Sequence, residues 1–201
     1  MKKGEKTKHE LLKIAYRMFL SKGYENTSID EIIEEAKIAK GTYYYHFKSK
    51  EQMLEEVIEM MIDEYEMRAN EILNSDLDLP EKMIGIITSF RPNKDEFQIV
   101  DTLNRQDNLI MHNKINRQVI ERVVPMLSKI VEEGVQLGIL KCENIPQRIR
   151  IIMILSSELF DDMEYSNTDV DVFIDIVEKI LGAQAGFLEF LKKLIQKQED
   201  I

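Results

Sequence analysis

The chain has 201 residues, 44% of them apolar and 32% charged, with 8 Gly, 4 Pro and no Trp. That length allows one sizeable core or a small domain beside a larger one, and the few Gly and Pro argue against long loops or disorder. The single cysteine, Cys142, excludes an internal disulfide and a cysteine-rich zinc site, and no run of about 18 apolar residues marks a membrane span.

The start, MKKGEKTKHELLK, is basic but lacks the apolar stretch of a signal peptide, so a cytoplasmic protein is expected. A net charge of −10 ordinarily counts against nucleic-acid binding, but the charge is unevenly spread. Residues 1–50 carry 11 Lys and Arg against 7 Asp and Glu, a balance of +4, whereas the remainder carries 16 against 30, a balance of −14. Such asymmetry can mark a nucleic-acid surface on the basic segment.

The first element is HELLKIAYRMFLSKG, where Leu11, Leu12, Ala15 and Phe19 form a stripe at helical spacing and Gly23 sits at the C-terminal cap. In TSIDEIIEEAK, Ser28 and Glu31 form a capping box, and Ile29, Ile32, Ile33 and Ala36 line one face of a two-turn helix. After the three residues KIA comes AKGTYYYHFKSK, a short helix of poor local propensity. Ser49 and Gln52 suggest a second capping box, starting a long helix striped by Leu54, Val57, Ile58, Met61, Tyr65, Ala69 and Ile72.

Four more helical segments follow, separated by NSDLDLP, RPNKDE, KCENIP and EYSNTDVD, with a shorter helix or pair of helices over 95–110. Pro125 is expected to kink the segment that contains it. No alternating strand pattern is present, so the expected fold is all-α. PQRIRIIMILSSELFDD is apolar all round, and VDVFIDIVEKILGAQAGFLEFLKKLI nearly so, read as one helix with Gly182, Ala183, Ala185 and Gly186 at its middle. A helix apolar on two faces must bury both. Either these two helices pair with a second copy of the chain, as a four-helix bundle on a two-fold axis, or they fill the middle of a monomeric core.

A short helix, a tight turn and a second short helix after an amphipathic one is the order of a helix-turn-helix unit. Tyr43, Tyr44 and Tyr45 fan over about 200° of the helix and cannot share a role. Phe47 lies on the face of Tyr43, so these two should pack inward against Ile29, Ile32 and Ile38. Tyr44 and Tyr45 then point outward beside His46 and Lys40, able to meet phosphate or a thymine methyl group. Gly41 lets the backbone approach base edges, Lys50 can meet a phosphate, and Thr27 and Ser28 offer hydroxyl and backbone donors.

The stretch TSIDEIIEEAKIAKGTYYYHFKSKEQML, Thr27 to Leu54, resembles the signature of the TetR family of transcriptional regulators. The resemblance implies an all-α homodimer with a three-helix DNA-binding domain at residues 1–50 and a larger helical domain at 51–201 for effector binding and dimerisation. It places Lys40, Gly41, Thr42, Tyr44, Tyr45 and His46 on the DNA-facing positions. Thr27 and Ser28 fall on the phosphate-contacting helix start, and Lys50 on the lysine after the recognition helix. It further implies a repressor on a pseudo-palindromic double-stranded operator, released by a small-molecule effector. Lys37 departs from the usual turn glycine, Ala39 from a common serine cap and Ile33 from a common alanine.

For the effector pocket, Tyr65, Phe90, Phe97, Met111, Met126, Met153 and Phe160 are the candidate liners, and a mainly apolar ligand is expected. The sequence holds no HExxH, P-loop, GxSxG or dinucleotide fingerprint, and His9, His46 and His112 are dispersed. No catalysis, cofactor, metal site or membrane partner is therefore expected. The rival readings are an effector-independent DNA-binding protein and, from another class, a helical small-molecule carrier or enzyme.

Overall fold

A computed structural model describes residues 3–103, 109–160 and 164–195. Among these residues every regular element is helical and no strand is present. The chain divides into two compact units, Met1–Glu64 with Pro92–Ile115, and Tyr65–Arg91 with Asn116–Ile201.

In the first unit, α1 (Lys3–Lys22) stops at Gly23, whose φ of 83° turns the chain and whose N–H donates to the Phe19 carbonyl at 3.0 Å. Its apolar stripe is fully enclosed at Leu11, Ala15 and Phe19. The capping box of α2 (Ile29–Ala36) is complete: Ser28 Oγ accepts from the Glu31 N–H, and the Glu31 carboxylate accepts from the Ser28 N–H. α3 (Lys40–His46) has no side-chain cap at Ala39. At the start of α4 (Lys50–Leu73), Ser49 Oγ accepts from Gln52 N–H, while Gln52 Oε1 takes the Lys48 N–H and so closes the box one residue earlier than expected. α6 (Phe97–Leu103) covers part of the short-helix segment foreseen over 95–110, of which residues 104–108 lie outside the described residues. Buried Glu96, just before α6, accepts from the Tyr16 hydroxyl at 3.0 Å and the Asn93 N–H at 2.8 Å.

In the second unit, α5 (Leu79–Ser89) is capped by Asp78 and Glu81, and α7 (Leu109–Gln136), which belongs to this unit from Asn116 onward, runs unbroken through Pro125. Pro125 is exposed, so the carbonyl deprived of its N–H partner can be met by water. α8 (Ile145–Phe160) and α9 (Asn167–Leu181) follow, the latter capped by Ser166 and Asp169. The core joins these helices through Met83, Ile86, Leu127, Ile130, Ile149 and Ile174.

The expected single helix over 170–195 is broken, and this corrects the reading of its small residues as helix interior. α9 ends at Leu181 because Gly182 adopts φ 62° and lies against the Lys141 carbonyl oxygen, where a β-carbon would collide with backbone. The chain then turns over the buried Glu178 carboxylate, which accepts from Gly186 N–H at 3.0 Å and Leu188 N–H at 2.7 Å. It resumes as a 3-10 turn, Glu189–Leu191, and the one-turn α10 (Lys192–Ile195). The Asp161 and Asp162 end of the apolar segment lies outside the described residues.

Candidate functional site

The turn between α2 and α3 is made by Lys37, which takes φ 53°, ψ 45° and donates its N–H to the Glu34 carbonyl. A lysine thus does what the missing glycine would do, at the steric cost of a β-carbon in left-handed backbone. The turn aims α3 so that Tyr43 and Phe47 are sealed with Ile32, all three at 0% exposure, their rings 5.6 Å apart. Ile29 and Ile38 are only half-buried. The Tyr43 hydroxyl donates to the Ser49 carbonyl at 3.4 Å, and desolvation raises its pKa to about 12.

On the opposite side Tyr44 is 47% and Tyr45 82% exposed. Each leans on an inner neighbour: Tyr44 edge-on to Tyr43 at 5.3 Å, and Tyr45 edge-on to His46 at 4.9 Å. Gly41 is exposed with open space where a side chain would be, and Thr42 and His46 are half-buried. Lys40, Gly41, Tyr44 and Tyr45 therefore form one accessible surface, with Thr42 and His46 at its margin.

The remaining candidates stand differently. Thr27 is buried, its hydroxyl donating to the Gly23 carbonyl at 2.9 Å and its N–H to the Tyr24 carbonyl at 3.1 Å. Both donors expected to meet phosphate are thus used in the turn before α2. Ser28 is exposed, but its hydroxyl serves the capping box. Lys50 lies 4.1 Å from the Tyr24 ring centroid and donates to the Glu25 carbonyl at 3.3 Å, which steadies it at the start of α4.

The basic side chains here are also paired with acids of α2: Lys40 with Asp30 at 2.9 Å, Lys22 with Glu31 at 2.6 Å and Arg17 with Glu35 at 3.6 Å. The hydrogen bond to Asp30 raises the Lys40 pKa. The Lys22 hydrogen bond, then those of the Ser28 cap, hold Glu31 down at about 2. The surface is a mixed-charge one whose cations have exchangeable partners, which the +4 balance did not reveal.

The second unit contains a partly open cavity of about 120 Å³. α5, α7, α8 and α9 supply aliphatic walls, and Leu188, Leu191, Leu194 and Ile195 close one side. Arg91 and Ser156 are its polar liners. Of the expected pocket residues, Met153 lines it. Tyr65 and Met126 are buried elsewhere, and Phe90 packs edge-on to Tyr65 at 6.5 Å. Phe160 packs on Tyr165 at 4.8 Å and Phe173 at 5.1 Å, Met111 is half-buried in the first unit, and Phe97 is exposed. The lining is mostly aliphatic, with Phe173 its one aromatic residue.

Arg91 was missed in the sequence, where RPNKDE reads only as punctuation. Its guanidinium donates to the Leu194 carbonyl, 103 residues away. Desolvation lowers its pKa, against an opposing pull from Tyr165, although the residue as a whole is exposed. α8 and α9 also leave an apolar face uncovered: Ile151, Ile154 and Leu155 on one, Val172 and Ile176 on the other. Among the described residues no helix is long and apolar enough to cross a membrane.

Residues 11–57 match the model of the bacterial regulatory proteins, tetR family. Over 77 residues the chain is 40% identical to the HTH-type transcriptional repressor KstR2 of Mycolicibacterium smegmatis, which is 38% of each protein. The match thus spans well under half of that relative's length. It is 27% identical to the fatty acid metabolism regulator protein of Bacillus subtilis, across 74% of this chain and 77% of the relative. The solved structure of RolR without ligand has the same fold, with a TM-score of 0.65 at 19% identity over 92% of this chain and 96% of that one. The buried Tyr43–Phe47 pair, the outward tyrosines and the capped turn all lie in residues 11–57, the segment that is similar to the tetR family of bacterial regulatory proteins.

Proposed function

We propose that the chain is a cytoplasmic, homodimeric transcriptional repressor that binds a pseudo-palindromic operator and leaves it when a small apolar effector binds. In this reading residues 1–50 read DNA, residues 51–201 dimerise and hold the effector, and the protein is not an enzyme. The observation that carries the reading is the split of α3: Tyr43 and Phe47 fix the helix from within, while Tyr44 and Tyr45 stand outward beside Lys40. Rings carrying hydroxyls next to an ammonium suit a groove with phosphate walls and thymine methyl groups.

The uncovered face of α8 and α9 supports dimerisation, since paired helices of this kind form four-helix interfaces. The aliphatic cavity supports an apolar effector, a class that agrees with the name of the Bacillus subtilis relative.

Mobility shifts on promoter DNA test the DNA-reading claim with the double variant Tyr44→Ala, Tyr45→Ala. The folded, dimeric variant should lose at least about tenfold in affinity. Unchanged binding would contradict the assignment of α3 as the reading helix.

A further inference from the structure

The reading of an apolar effector can be taken further at the rim of the cavity. Its lining includes no Asp or Glu, and its one ionised group is Arg91. A cationic ligand would meet a like charge without a counter-ion, and a neutral one would leave a partly desolvated guanidinium facing no anion. Among the described residues no carboxylate pairs with Arg91, although the chain carries 37 Asp and Glu. What Arg91 holds instead is a neutral acceptor, the Leu194 carbonyl of α10.

That contact belongs to a strap. The Tyr165 hydroxyl donates to the Ile195 carbonyl at 2.7 Å, and Lys192 pairs with Asp171 at 2.7 Å and Glu189 at 2.8 Å. So held, α10 puts Leu194 and Ile195 into the cavity. The volume that remains, about 120 Å³, is near that of cavities that take up a benzene-sized body. Leu194 and Ile195 fill space into which a longer hydrocarbon would extend.

We infer that the effector is an apolar carboxylic acid whose carboxylate replaces the Leu194 carbonyl at Arg91 while its hydrocarbon chain displaces α10 from the cavity. A guanidinium offers a planar fork of donors that matches a carboxylate two bonds at a time, and a charged acceptor outcompetes a neutral carbonyl. One contact therefore joins recognition of the head group to release of the strap. This rests on the effector reading above and is separable from it.

The test titrates the full chain with octanoate, 1-octanol and octylamine by calorimetry, in wild type and in Arg91→Gln. Octanoate should bind the wild type about tenfold or more tighter than octanol, with octylamine weakest. Arg91→Gln should bring octanoate down to the level of octanol, abolishing the preference for the acid. Amide hydrogen exchange across residues 189–195 should rise when octanoate binds. Equal binding of octanoate and octanol by the wild type would overturn the head-group assignment and leave the effector reading standing. So would an acid preference that survives Arg91→Gln, or tighter binding of octanoyl-coenzyme A than of octanoate. Unchanged exchange over 189–195 would overturn displacement of the strap. Binding of none of the three probes would overturn both this inference and the effector reading. The comparison of acid with alcohol uses wild-type protein and does not depend on how the variant folds.

Discussion

Two surfaces of this protein leave large apolar groups in water, and they differ in what surrounds them. On α3 the exposed groups are tyrosines, each with a hydroxyl and each resting on an inner ring, with Lys40 beside them. On α8 and α9 they are Ile151, Ile154, Leu155, Val172 and Ile176, which have no polar handle. Rings with a polar tip can face a wet, charged groove, whereas an aliphatic face gains only by being covered with another aliphatic face. This difference is why we propose nucleic acid for the first surface and a second copy of the chain for the other.

The comparison breaks most visibly if charge is put on the aliphatic face. Ile151→Glu with Val172→Glu should weaken self-association by about 3 kcal/mol or more, because unpaired carboxylates would be buried at the interface. Light scattering at micromolar concentration should then report a monomer, with the helical content of the wild type retained. A variant that remains dimeric would show that the two copies meet elsewhere.

The turn that aims α3 gives a smaller effect of opposite sign. Lys37→Gly should stabilise the protein by about 1 kcal/mol, since glycine takes the φ of 53° without the clash of a β-carbon. Chemical denaturation measures the gain, and a loss would mean that the lysine side chain contributes more than its backbone costs.

Smaller again is the effect of the acid that occupies Lys40. Asp30→Asn should raise affinity for non-specific DNA a few-fold, in line with the roughly 0.2–1 kcal/mol of exposed ion pairs, because the ammonium no longer has to exchange a carboxylate for a phosphate. Fluorescence anisotropy at two salt concentrations checks this, and unchanged affinity would show that Lys40 does not meet the backbone.

The least effect concerns the cap of α2. The Lys22 and Ser28 hydrogen bonds lower Glu31 from an ordinary 4.5 to about 2. The folded state therefore binds fewer protons than the unfolded one between these values. The stability this supplies is present above pH 4.5 and is lost as pH falls toward 2. Glu31→Gln should flatten that part of the stability–pH profile, and an unaltered profile would mean that the cap makes no ionic contribution.

Much of the first unit was legible because its determinants are local. Ser28 with Glu31, and Gly23 after Phe19, are patterns four and five residues long, and the separation of Tyr43 and Phe47 from Tyr44 and Tyr45 follows from helical periodicity alone. Thr27 escaped because its inward turn depends on carbonyls of Gly23 and Met18 that only the folded chain supplies. The end of α9 escaped because small residues suit both helix packing and a helix stop. Only the approach of Lys141 to Gly182 decides between them. Arg91 and the α10 strap were illegible for the same reason: their contacts join residues far apart in the chain, and no periodic pattern marks them.

The most direct test of α3 as a reading helix is selection of duplexes from a random pool by the wild-type protein. The enriched sequences should contain two inverted half-sites whose centres lie about 34 Å, or roughly ten base pairs, apart or a multiple of that. No enrichment, or enrichment of a single unrepeated site, would contradict a two-fold regulator reading DNA through Tyr44 and Tyr45.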